Sequence, residues 1–328
     1  MIIFLLDNTK FLFRIVVFLK QFRLLIMNEQ TIDLILQAFY EGRSQKTTQL
    51  YLSDLDAFRG YLGVGSLKTA LLELFKAPHS QANLTVMHYK ALMHQNGLKP
   101  ATINRRLSAL RSIVKEAQLN GYVTWEVDVN NEKIRSGHKN LPIGSSEFND
   151  ILKRAETQRN SLKSSRDTAI LRLLNDLAMQ LGSIIKLNIN DIDLSRRRIL
   201  VHVPGSKEKV SKIMPLKTTQ ALKKWMAHRG GKNGALFTNC DHAGKGKRLT
   251  ATSIYRIVRQ LGKEVGLDVG PLGIRQAAIV KALGKARTSG IKMEDVAAFS
   301  DHRHVPTLKT YERQRAAIQQ RLSDLVSD

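Results

Sequence analysis

Between residues 28 and 128, apolar residues recur at helical spacing, and no stretch alternates as a strand would. Ile32, Leu34, Ile35 and Phe39 mark the first segment. Leu50, Tyr51, Leu55, Phe58, Tyr61 and Leu62 line one side of a second, from Thr47 to Gly63. A third runs from Ser66 to Lys76 with Leu71, Leu72, Leu74 and Phe75, and a fourth covers Leu84 to Gln95 and stops at Gly97. The fifth opens at Pro100, whose fixed φ and missing N–H suit a first helical turn. It continues through Ile103, Leu107, Leu110, Ile113 and Val114 to about Leu119. The pattern predicts a helical domain of four or five helices over 28–128.

Residues 129–142 lose the periodicity and collect polar, Gly and Pro residues, so they are expected to form a linker. A second domain is expected over 143–328. It starts with helices at Ser145–Ala155 and Ser164–Leu177. Ile199, Val201 and Val203 then alternate with Leu200 and His202, as in a strand. Pro204 and Gly205 mark a turn, and Ile213 with Leu216 is expected in the next short strand. Helices follow at Lys217–His228, Ala251–Val265, Leu272–Leu283 and Met293–Phe299, with a last one from about Thr307 to Val326. The expected fold class is mainly α, with one small antiparallel sheet in the second domain.

Charge changes the picture most. Lys and Arg number 52 against 28 Asp and Glu, a net charge of +24. Such an excess implies a polyanionic partner, nucleic acid before membrane, without choosing DNA over RNA. The single cysteine, Cys240, excludes a disulfide framework and a cysteine-based metal site. Residues 1–26 are apolar, but Asp7, Lys10, Arg14, Lys20 and Arg23 break the run that a membrane helix needs. The first 26 residues are expected to be an upstream extension outside the fold, with the domain boundary set at 1–27 because an ordinary protein start reads from Met27; the alternative is an amphipathic surface helix. No phosphate-binding loop, dinucleotide fingerprint or H-E-x-x-H pair occurs. The fifth helix carries Lys99, Asn104, Arg105, Arg106 and Arg111, a polar face for a DNA groove or for solvent. Lys245, Lys247 and Arg248 form a basic loop, either solvated or touching phosphate.

The C-terminal third holds Arg275 in GIRQAAIVKAL and then SDHRHVPTLKTY, with His302 nine residues before Tyr311. This resembles the tyrosine recombinase (phage integrase) family, whose last box is a Leu-Gly-His segment followed nine residues later by a nucleophilic tyrosine. The resemblance covers nearly the whole chain. It implies a helical, SAM-like core DNA-binding domain over 28–128 and a mixed α+β catalytic domain over 143–328. It assigns Tyr311 as the nucleophile that forms a 3′-phosphotyrosine link, and Arg275 as the second of two phosphate-holding arginines. Arginine suits that task because its planar, permanently charged fork donates two hydrogen bonds. His302 matches the late phosphate-binding histidine. Lys207, in the strand turn, matches the lysine that protonates the leaving 5′ oxygen, with Lys209 as its substitute if the register slips. The covalent link conserves the phosphodiester energy, so no cofactor and no metal is implied.

The departures fall inside this set. The family's first arginine lies in a Gly-Leu-Arg-x-Ser-Glu segment; here Gln180 takes the arginine position and Ser183 the glutamate position. Leu272 replaces the histidine three residues before Arg275. Gln276 follows Arg275 where histidine is frequent, and Asp301 replaces the glycine before His302. One lost oxyanion donor typically costs about 10²–10³ in rate, and the two losses together about 10⁴ if nearly additive. The sequence thus points to a site-specific recombinase acting on double-stranded DNA with impaired cleavage. The alternatives are an inactive accessory or regulatory DNA-binding protein, and an unrelated basic helical RNA-binding or regulatory protein. The implied assemblies are a homo-tetramer on DNA or partnership with an active recombinase; the tail bearing Ile318, Leu322 and Leu325 is a candidate for the contact between neighbours in a tetramer, the alternative being that it packs on its own domain. The implied location is cytoplasmic and nucleoid-associated, with no membrane partner.

Overall fold

The structure is a computed structural model that describes residues 27–134, 142–203, 206, 208–231, 233–241, 244–302, 305–308 and 311. The chain divides into two compact units on either side of residue 136. The first is built of α1 (Glu29–Tyr40), α2 (Gln45–Leu62), α3 (Leu67–Lys76), α4 (His79–Gln95) and α5 (Pro100–Leu119). Asn28, Ser44 and Ser66 cap the first three, each side chain accepting a backbone N–H three residues on. Gly63 ends α2 with φ 72°, a left-handed turn that a side chain would disfavour. Ile32, Phe39, Phe58, Leu71, Leu107 and Ile113 are fully buried in the shared core.

Leu34 and Leu50, expected among the core positions, are 60% and 43% exposed. Each stands one residue off its buried row, Leu34 beside Ile35 and Leu50 beside Tyr51. The fourth helix starts at His79 rather than Leu84, because Ala82 buries its first turn without a large apolar side chain to announce it. Residues 129–132, expected as the start of a linker, are bonded to the first unit, as are the two residues before them. Val127 and Val129 are buried. Asn104 Nδ2 donates to the Glu132 carbonyl (2.9 Å) and its Oδ1 accepts the Glu132 N–H (2.7 Å).

The second unit contains α6 (Ser145–Glu156), α7 (Ser161–Asp176), the single turn α8 (Leu181–Ile184), β1 (Ile192–Asp193), β2 (Arg198–His202) and β3 (Lys209–Ile213). Next come α9 (Leu216–Arg229), α10 (Ala251–Lys263), α11 (Pro271–Thr288) and α12 (Met293–Phe299). The sheet is antiparallel in the order β1-β2-β3, with Ile199 opposite Lys212. Ile199 and Val201 face the core while Leu200 is 40% exposed, the alternation expected of β2. Leu216 lies outside the strand assigned to it: Pro215 lacks the N–H a ladder needs, and Leu216 opens α9 behind it.

α7 runs through the middle of this unit, burying Ile170, Leu171, Leu173 and Leu174 against the sheet and its neighbouring helices. A second apolar cluster, with Ala178, Ile279, Leu283, Val296 and Leu308, has Tyr311 packed against it. The expected mainly helical fold with a small antiparallel sheet is therefore present. Residues 1–26, Lys207, most of the last expected helix and the tail with Ile318, Leu322 and Leu325 lie outside the described residues. No helix among the described residues is long and apolar enough to cross a membrane.

Candidate active site

Arg275 sits on the second turn of α11, one turn beyond Leu272 and 6% exposed. Its Nη1 donates to the Ala178 carbonyl and its Nη2 to the Ser300 carbonyl. Both acceptors lie at helix C-termini, where carbonyls lack intrahelical donors and a cation is favoured. Ala178 follows α7 with φ 46°, and Asp301 follows α12 with φ 54°. These are the two positions at which the resemblance noted above would place glycine. A left-handed backbone costs a residue with a Cβ about 1–2 kcal/mol, and least for Asp or Asn. At Asp301 the turn is a Schellman motif, with His302 N–H returning to the Ala297 carbonyl (2.9 Å) and Asp301 N–H to Ala298 (3.3 Å). Helix termination thus delivers His302 to the site.

Around Arg275 the charges are close and dry. Lys212, from β3, donates Nζ to the Phe299 carbonyl (2.7 Å) and pairs with Asp301 Oδ1 (2.8 Å). The two side chains are only 10% and 3% exposed, and Asp301 Oδ2 is buried without a hydrogen-bond partner. Burial pushes the Arg275 guanidinium and the Lys212 ammonium below their usual ranges, while Asp301 pulls both back up. Carbonyl partners fix Arg275 without neutralising it, so three of its five N–H groups remain for an anion. Ser300 is fully buried, and its hydroxyl bonds the Val296 carbonyl (2.7 Å) and His302 Nδ1 (2.7 Å). The His302 and Tyr311 rings meet edge to face, 5.6 Å between centres.

Gln180, Leu272, Arg275, His302 and Tyr311 line one cleft of about 590 Å³. Gln180 stands at the start of α8, and Leu272 is 51% exposed at the start of α11, whose positive end opens into the cleft. Ser183 does not replace an acid function: its hydroxyl donates to the His202 carbonyl (2.6 Å). Two residues not singled out from the sequence also line the cleft, Tyr255 and Arg259 of α10. They are four apart and share a helical face, which was the available signal. Arg259 is ion-paired with the exposed Asp268.

The candidate DNA residues divide by what they already touch. Arg105 pairs with the buried Asp54 (2.6 Å), and Arg106 lies 3.8 Å from the same carboxylate. Asn104 holds Glu132, and Arg111 reaches Asn131 (2.9 Å) and the Val129 carbonyl. Arg248 donates to the Ile185 and Leu187 carbonyls and to Asn188. Lys99, Lys245 and Lys247 are exposed.

His302 is held below the ordinary histidine value of 6.5, first by burial and then by Arg275, against the pull of Asp301. The unfolded chain therefore takes up this proton first as pH falls. Stability is full above about 6.5 and declines from there down to the folded-state value. Chemical denaturation from pH 8 to pH 5 should show a shallower decline in His302→Gln than in the parent; parallel curves would contradict it.

A family model described as "Phage integrase family" matches residues 143–317, and one described as "Phage integrase, N-terminal SAM-like domain" matches residues 37–121. The chain belongs to the phage integrase family. Among its relatives is Tyrosine recombinase slr0733 of Synechocystis sp., 28% identical over 308 residues, covering 92% of this chain and 96% of that protein. Tyrosine recombinase XerC of Corynebacterium glutamicum is 26% identical over 280 residues, covering 82% of each. The fold is shared with the XerH site-specific recombinase bound to a palindromic difH substrate, at a TM-score of 0.61 and 18% identity over 85% of this chain and 79% of that one. It is also shared with a lambda integrase dimer bound to a COC′ core site, at a TM-score of 0.61 and 16% identity over 86% of this chain and 92% of that one.

Proposed function

We propose that this protein binds duplex DNA and cleaves it by attack of Tyr311 on a backbone phosphate, at a rate impaired by Gln180 and Leu272. The supporting observation is the single cleft that gathers Arg275, His302 and Tyr311, with the two substituted positions beside them. Arg275 receives the phosphate as a fixed cation. Tyr311 forms the phosphotyrosine link, and Lys207, assigned by resemblance, protonates the departing 5′ oxygen. Residues 28–128 supply a core DNA-binding domain and 143–328 the catalytic domain. Lys99, Lys245 and Lys247 are the cations of the predicted set free to meet phosphates, while Asn104, Arg105, Arg106, Arg111 and Arg248 chiefly brace the fold. The rival reading, an accessory DNA-binding protein without cleavage that partners an active recombinase or joins a homo-tetramer, draws on the neutral side chain of Gln180.

A nicked suicide DNA duplex separates the two. The expected result is a slow covalent adduct that disappears in Tyr311→Phe; no adduct after long incubation would favour the accessory role. Binding should weaken steeply with salt, log K falling linearly with log salt concentration. Lys245→Ala with Lys247→Ala should flatten that slope by about one for each phosphate left without its lysine. A salt-independent affinity would contradict phosphate-driven binding.

A further inference from the structure

We infer that Ser300 fixes His302 as the Nδ1–H tautomer, leaving Nε2 as the proton acceptor for the Tyr311 hydroxyl. The inference rests on the proposed cleavage reaction and gives His302 a role that Leu272 has vacated. Ser300 stands where the family's Leu-Gly-His segment has leucine, so the bond to His302 belongs to this chain's own chemistry. Its hydroxyl has one proton and two neighbours at 2.7 Å, the Val296 carbonyl and His302 Nδ1. A carbonyl can only accept. When Ser300 donates to Val296, its oxygen is free to accept from Nδ1–H, and every polar atom in the row is satisfied. In the opposite arrangement the Val296 carbonyl keeps the Ser300 N–H (3.1 Å), but it then faces Ser300 Oγ at 2.7 Å with no proton between the two oxygens, in a site with 0% exposure at Ser300. The ring is thereby orientated from behind, and its other nitrogen lies away from Ser300, on a ring that lines the cleft with Tyr311.

The groups facing His302 suit a neutral base. Arg275 of α11 bonds the Ser300 carbonyl, and Lys212 of β3 pairs with Asp301 in the histidine's own turn. Burial first, and then Arg275, disfavour protonation of the imidazole, against the pull of Asp301. In the reaction the Tyr311 proton passes to Nε2 while the phenolic oxygen bonds phosphorus. The phosphorus–5′ oxygen bond breaks, and the 5′ oxygen takes its proton from the Lys207 ammonium. The imidazolium then sits beside the negatively charged phosphate, with Ser300 still accepting from Nδ1. Ser300 is a positioning residue: it acts only through His302.

Ring-nitrogen NMR of the full chain labelled with ¹⁵N, with His302 assigned by its loss in His302→Gln, tests this without DNA. The expected result at pH 8 is a protonated Nδ1 and a bare Nε2, with the population moving toward Nε2–H in Ser300→Ala. A dominant Nε2–H form in the parent protein would overturn the inference. On the suicide duplex, Ser300→Ala should slow adduct formation by about tenfold and alter its pH profile, and Ser300→Thr should recover both; general-base contributions of about 10²–10⁴ set the upper bound. Unchanged rates and profiles in both Ser300→Ala and His302→Gln would also overturn it. If the parent forms no adduct at all, the cleavage reading fails on its own and the NMR result alone decides whether Ser300 sets the tautomer.

Discussion

Gln180→Arg combined with Leu272→His should raise adduct formation on the suicide duplex by about 10² or more, the largest gain that two side chains in this cleft can give. Each restores a donor aimed at charge that develops on the phosphate, and one such donor is typically worth about 10²–10³ in rate. The full product is not expected, since groups acting on one transition state are rarely additive. The cleft has room: it spans about 590 Å³, and Leu272 is half exposed rather than packed beneath neighbours. Arg275 already holds its position through the Ala178 and Ser300 carbonyls, so a new arginine would join a preset partner. Single variants should each gain less than the pair. No gain from the double variant, with folding intact, would show that the backbone around residue 180 has moved away from the family geometry.

Lys212→Met should remove about 3–5 kcal/mol of unfolding free energy, the usual result of deleting one partner from a buried ion pair. Asp301 is 3% exposed, and one of its carboxylate oxygens already lacks a donor, so losing Lys212 removes its ion-pair partner and leaves only the more distant Arg275 to offset the buried charge. The Phe299 carbonyl loses its lysine donor as well. Urea titration of the parent and variant would measure the difference. Lys212→Met with Asp301→Gly should recover most of it, because glycine removes the charge and also accepts the left-handed backbone at φ 54°. A loss under about 1 kcal/mol in the single variant would mean that water readily reaches this pair.

Helices were legible in the sequence because each buries one stripe, and the period survives even where Leu34 and Leu50 stray from it. β1 was not: two residues, Ile192–Asp193, are too short to alternate. Arg275, His302 and Tyr311 were legible as spacings, whereas their support was hidden. Lys212 meets the Phe299 carbonyl across 87 positions of sequence, and Arg275 meets Ala178 across 97. No local pattern encodes such long-range bonds. The polar face of α5 is ambiguous for a related reason. A row of Asn104, Arg105, Arg106 and Arg111 looks alike whether it awaits an outside anion or binds Asp54 and the 129–132 backbone.

Ala178 and Asp301 hold main-chain shapes that glycine would adopt more cheaply, and both carbonyl anchors of Arg275 depend on those shapes. Neither anchor draws on the side chain at position 180 or 272. The scaffold that holds the cation is thus separate from those two side chains, and exchanging them would leave its footing in place.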